Sequence, residues 1–161
     1  MSKPAGFSRL QITLHWVIAV LILGQFLFRE RMSDVWDAVE NGRDFAISQA
    51  LPHVIGGILV LGLVIWRLVV RARRGAPDLP PEGHAILDLI AKATHWLLYA
   101  LLVLVPVSGL SAWFGGIEAA ADAHGVLFFS LAALAILHIF GAFYHQWIKK
   151  DGLIARMIKS G

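Results

Sequence analysis

Polar residues are grouped along this chain, and long apolar runs lie between the groups. The first run spans about residues 10–28, LQITLHWVIAVLILGQFLF, and the second about 51–70, LPHVIGGILVLGLVIWRLVV. The third covers about 93–114, ATHWLLYALLVLVPVSGLSAWF, and the fourth about 124–147, beginning HGVLFFSLAALAILHIFGAFYH. Each approaches the roughly 20 residues that a helix needs to cross a bilayer. The pattern predicts an all-α fold: an integral membrane four-helix bundle, with residues 1–161 as a single membrane domain. The third connection, GGIEAAADA at 115–123, is short and makes the last two helices antiparallel neighbours.

Composition strengthens this reading. Apolar residues make up 58% and charged residues 16%, too few to build a water-facing surface all round. The first run is too long for the apolar core of a signal peptide and lacks a small-residue cleavage site, so it is expected to stay as a span. Cysteine is absent, which excludes disulfides, thiolate metal sites and iron–sulfur clusters. Redox or metal chemistry must run through the seven histidines, carboxylates or a bound cofactor. The net charge of +3 is modest, and no nucleic-acid partner is expected.

The placement of the charges sets an orientation. Lys3, Arg9, Arg67, Arg71, Arg73, Arg74, Lys92, Lys149, Lys150, Arg156 and Lys159 fall on one side, with both termini. The other side holds Arg29, Arg31 and Arg43 against Glu30, Asp34, Asp37, Glu40, Asp44, Glu118 and Asp122. Positive charge marks the inner face, so both termini are expected in the cytoplasm, and the lipid bilayer is the first partner.

Histidines inside the runs ask for a reason, because ionisable groups in a membrane mark function. One buried histidine bonded to a neighbouring helix would be unremarkable, but these form a set. Fourteen residues separate His124 from His138, a net rotation of about −40° and a rise of about 21 Å. The two rings therefore share a face at two depths. His53, at the outer start of the second run, is level with His124, and His15, at the inner start of the first, is level with His138. His95, at the inner start of the third run, rivals His15 or His138 at the inner level. Zinc wants three or four ligands, and no Asp, Glu or Cys lies in the runs to complete a shell. Haem iron takes two axial histidines, so two b haems fit better. The missing carboxylates also disfavour a proton-coupled transporter.

Nearby residues extend the site. Arg67 lies fourteen residues after His53, on its face but at the inner level, and with Arg9 is a candidate for cofactor carboxylates. Gly56, Gly57, Gly125 and Gly141 offer close backbone approach beside the ligands. His145 follows His138 by seven residues on the same face, and with His95 is a candidate quinone site. His84 is expected to be solvated, and Trp16 and Trp96 to sit in the interfacial aromatic belt.

The stretches SRLQITLHW (8–16), LPHVIGG (51–57), ATHWLLYALLVLVPVSG (93–109) and HGVLFFSLAALAILHIFGAFYHQWIKKDGLIARM (124–157) resemble the bacterial cytochrome b(561) family. That family shares its four-helix dihaem core with the cytochrome b subunits of nickel–iron hydrogenases and formate dehydrogenases. The resemblance covers nearly the whole chain. It implies two non-covalent b haems, the outer one on His53 and His124 and the inner one on His15 and His138, and electron exchange with ubiquinone. Some members oxidise superoxide, which makes superoxide:ubiquinone oxidoreductase the leading expectation. An acidic outer face does not steer an anion inward. An anchor subunit that receives electrons from a periplasmic partner is the alternative, and a haem-free metal transporter stands third.

Overall fold

A computed structural model describes residue 4 and residues 6–77 and 85–160; His84 lies outside the described residues. Among these residues the fold is helical throughout: α1 (Arg9–Leu27), α2 (Arg29–Glu40), α3 (Ile47–Arg74), α4 (Ala85–Gly115) and α5 (Glu118–Tyr144). A π turn (His145–Lys149) and a short 3-10 turn (Ala155–Met157) follow. Four helices are long and apolar enough to cross a membrane: α1, α3, α4 and α5 carried on through its π turn.

The long helices run past the ends of the apolar runs, because their polar terminal turns remain helical. α3 continues to Arg74, where three arginines occupy the last turn and complement the negative end of the helix dipole. Gly75 then stops it at φ 78°, a backbone conformation that side chains disfavour. α1 begins with a capping box. The Ser8 hydroxyl accepts from the Gln11 N–H at 3.2 Å, and the Gln11 side chain accepts from the Ser8 N–H at 3.0 Å.

α2 is a helix where the charge pattern showed only a polar connection. Val35 and Ala38, three apart, are buried against α3, and Glu30, Asp34, Asp37 and Glu40 stay exposed. It caps the end of the bundle away from the termini.

α1 packs on α3, α3 on α4 and α4 on α5, whereas α5 does not pack closely along α1 or α3. Ile18, Val60 and fully buried Val64 form the core between α1 and α3, with Leu102 and Val103 of α4 against it. α5 buries only Leu131 completely. The accessible surface is 10378 Å², against about 7,900 Å² for a compact monomer of this mass. The interior is thin on the side where α5 faces α1 and α3.

At the terminal end two long-range bonds join the helix ends. Gln11 Nε2 donates to the Gly75 carbonyl at 2.9 Å, tying the start of α1 to the end of α3. Trp16 is half exposed, as an interfacial tryptophan would be, but its Nε1 donates to the Met157 carbonyl at 2.8 Å and pins the C-terminal strap across α1.

Candidate functional site

Across the gap between α5 and its two distant neighbours, histidines meet in pairs. His53 of α3 faces His124 of α5 with ring centroids 6.1 Å apart and planes at 81°. Nearer the termini, His15 of α1 faces His138 of α5 at 6.4 Å and 75°. The fourteen-residue spacing within α5 separates the two pairs by about 21 Å along the helix.

These distances have a chemical meaning. Two imidazole nitrogens each about 2 Å from a metal, and each about 1.1 Å from its ring centre, put opposed ring centres about 6.2 Å apart. Both pairs have that spacing. His95 is also drawn in, with its ring 5.3 Å from that of His138, closer than an in-line pair of ligands would stand. Its Nδ1 lies 2.6 Å from the Ala91 carbonyl one turn back on α4, which anchors the ring to its own helix. Among the described residues no three His, Asp or Glu side chains converge as a cage for a metal ion.

The second contacts of His124 fix its ring. Nδ1 lies 2.8 Å from the Val105 carbonyl of α4 and 3.4 Å from the Ser108 hydroxyl. A carbonyl can only accept, so Nδ1 carries the proton and Nε2 is the nitrogen turned to other partners. Gly109 makes this possible, since a Cβ there would stand 2.9 Å from two ring atoms of His124. Across from it, His53 Nδ1 is buried with no hydrogen-bond partner. A buried imidazole rarely keeps such an orphan unless something besides the protein holds the ring. The stand-off of α5, the thin interior, the spacing of the rings and this orphan together fit a large flat group held between axial histidines.

The glycines beside the histidines differ in their surroundings. A Cβ at Gly56 would collide with the Gln25 side chain, whose Nε2 donates to the His53 carbonyl at 3.1 Å, so this glycine serves a helix contact. Gly57, Gly125 and Gly141 have nothing within 4 Å of a built Cβ. Gly109 was missed, because its role depends on how α4 lies against α5.

Of the two candidate carboxylate-binding arginines, Arg67 is half-buried and donates from Nη1 to the Gln11 carbonyl at 2.7 Å. It sits within electrostatic range of His15, His95 and His138. Arg9 is exposed and lines a groove of about 370 Å³ with Arg74 and Ser160. His145, seven residues beyond His138, donates from Nδ1 to Asp151, a partner the sequence reading did not name. Beside it, Gln146 Oε1 is buried without a partner.

A family profile described as prokaryotic cytochrome b561 matches residues 6–160. Cytochrome b562 of Cereibacter sphaeroides is 38% identical over 159 residues, covering 99% of each chain. Cytochrome b561 homolog 2 of Escherichia coli is 27% identical, with 98% of this chain and 93% of that protein covered. A protein named probable superoxide oxidase CybB in Yersinia pestis is 26% identical, with 94% and 95% covered. With four apolar helices and opposed histidine pairs, and matched over nearly its whole length, this chain belongs to the prokaryotic cytochrome b561 family of membrane electron-transfer proteins, whose cofactor is b-type haem.

Proposed function

We propose that the chain passes electrons from the outer face of the bacterial cytoplasmic membrane to ubiquinone, with superoxide as the donor. The single observation that carries the transmembrane path is the stacking of two opposed histidine pairs at two depths of one bundle. Two b haems, one in each pair, would supply a one-electron relay with no open iron position for oxygen. His53 and His124 would hold the outer group and His15 and His138 the inner one. His124 is oriented by the Val105 carbonyl. Arg67 and Arg9 would neutralise carboxylates of the inner group.

The excess of basic residues at the terminal end supports a cytoplasmic position for it. There His95, whose ring meets that of His138, and His145, seven residues further along the chain, would contact ubiquinone. The reaction balances as two superoxide anions plus one ubiquinone plus two protons giving two dioxygen and one ubiquinol. The relative named probable superoxide oxidase CybB supports this donor.

One observation favours a second reading, an electron-transfer or anchor subunit served by a basic periplasmic protein. Glu30, Asp34, Asp37, Glu40 and Asp44 are exposed around α2. The three arginines of that end are engaged locally: Arg29 over Phe26 and Phe129, Arg31 over Phe28, and Arg43 with Asp37. No basic mouth is formed there to steer an anion. The experiment is ubiquinone reduction by the purified holoprotein supplied with enzymatically generated superoxide. Ubiquinol formation that superoxide dismutase abolishes supports the first reading. No reduction by superoxide, with co-purification of a larger redox partner, supports the second.

A further inference from the structure

The groove beside Arg9 lies at the boundary between the apolar spans and the polar terminal end. On α3, Val70 closes the second apolar run, and Arg74 stands four residues on, one turn nearer the end of the helix. On α1, Arg9 opens the helix and Leu10 begins the first run. With Ser8 and Ser160 these four line a groove of about 370 Å³, a size within the range of small-molecule sites. Its apolar residues come from the span side and its arginines from the water side.

Polar ties fix the two walls of the groove without any ligand. Gln11 Nε2 donates to the Gly75 carbonyl at 2.9 Å, and Arg67 donates to the Gln11 carbonyl at 2.7 Å, so the start of α1 is held to the last turns of α3. The Ser8–Gln11 capping box sets where α1 begins, and with it the place of Arg9. Two guanidinium groups lining one groove repel each other, and among the described residues no carboxylate pairs with either. Both arginines stay exposed, and each carries a planar fork of N–H donors that matches phosphate oxygens. Ser160 adds a hydroxyl. An anion in the groove relieves the repulsion. A free anion has no use for the apolar wall, where Leu10 is 40% exposed. A membrane lipid uses both walls, since its phosphate lies at the bilayer surface and its chains lie beside the spans.

We propose that the groove binds the phosphate of one anionic phospholipid between Arg9 and Arg74, with an acyl chain against Leu10 and Val70. Basic pockets between membrane helices suit such headgroups. This site is separate from the electron path and leaves its donor and acceptor as they are. Arg9 is also a candidate for the carboxylates of the inner haem, so the variants are made at Arg74, which that reading does not use.

The test uses purified holoprotein, stripped of lipid in an uncharged detergent and titrated with short-chain phosphatidylglycerol or with phosphatidylcholine of the same chains. Native mass spectrometry reads the lipid-bound fraction, and haem content is measured for wild type, R74Q and R73Q. Arg73 is the exposed neighbour of Arg74 in the same last turn and does not line the groove. The expected result is one phosphatidylglycerol bound at several-fold lower concentration than phosphatidylcholine, a weakening of about five-fold in R74Q, and little change in R73Q. Equal weakening in R73Q and R74Q shows diffuse attraction to the basic end and overturns the site. Equal binding of the two lipids overturns the selectivity for an anionic headgroup, and the site with it. Displacement of phosphatidylglycerol by millimolar inorganic phosphate marks a free-anion site and overturns the lipid as its occupant. Should R74Q lose haem, S160D, which brings a carboxylate to the same groove from the other end of the chain, is taken through the same titrations and judged by the same outcomes.

Discussion

The imidazole of His124 lies directly against Gly109 on the neighbouring helix, where a Cβ would stand 2.9 Å from its Cε1 and Nδ1. That close approach lets Nδ1 reach the Val105 carbonyl at 2.8 Å and fixes which nitrogen points into the bundle. Gly109→Ala is therefore expected to push the ring out of its seat at a cost of about 1–3 kcal/mol. The outer pair should lose its haem while the inner pair keeps its own. Absorbance spectra of the purified variant check this, with about half the wild-type haem per chain expected.

Arg67 places a positive charge within range of His15, His95 and His138. A cation beside an iron centre disfavours the oxidised form, which carries one more positive charge. Arg67→Gln should lower the midpoint potential of the inner haem, on the order of 50 mV at the effective dielectric of a partly buried site. Redox titration of both haems should show the outer one unmoved. Because Arg67 also bonds the Gln11 carbonyl, a small loss of thermal stability is expected alongside.

The C-terminal turn should respond to acid in a defined window. The Asp151 carboxyl is held below its ordinary value of 3.8, so its contribution to the turn is fully present above that value and is lost as pH falls through the lower folded value. Hydrogen-exchange protection of the segment after α5 should be constant from pH 7 to pH 5 and collapse only in stronger acid. In D151N the protection should be low throughout, and the pH step should vanish.

Much of this architecture was legible in the chain. The four apolar runs marked the four long helices, since a membrane span needs a continuous apolar stretch whatever its neighbours are. The fourteen-residue spacing of His124 and His138 fixed a shared face and two depths, because helical geometry alone sets both. Depth along the bundle also matched His124 to His53 and His138 to His15, and these are the rings that face each other.

What stayed hidden depended on tertiary packing or on turns. α2 was masked by its charges, although Val35 and Ala38 carried a buried stripe at helical spacing. Gly109 has no local signal, since its importance lies in a ring that arrives from another helix. Asp151 follows His145 by only six residues, but the contact needs a left-handed Lys150 that no sequence pattern announces. Gly56 also accommodates the Gln25 side chain of a neighbouring helix, a contact with no local signal.

The central claim is that two opposed histidine pairs hold two b haems in one chain. Haem per chain, measured by pyridine haemochromogen assay on wild type and on His53→Ala and His138→Ala, tests it most directly. The account predicts two haems in wild type and one in each variant, with different residual spectra because different sites survive. One haem or none in wild type, or two retained in either variant, would contradict it.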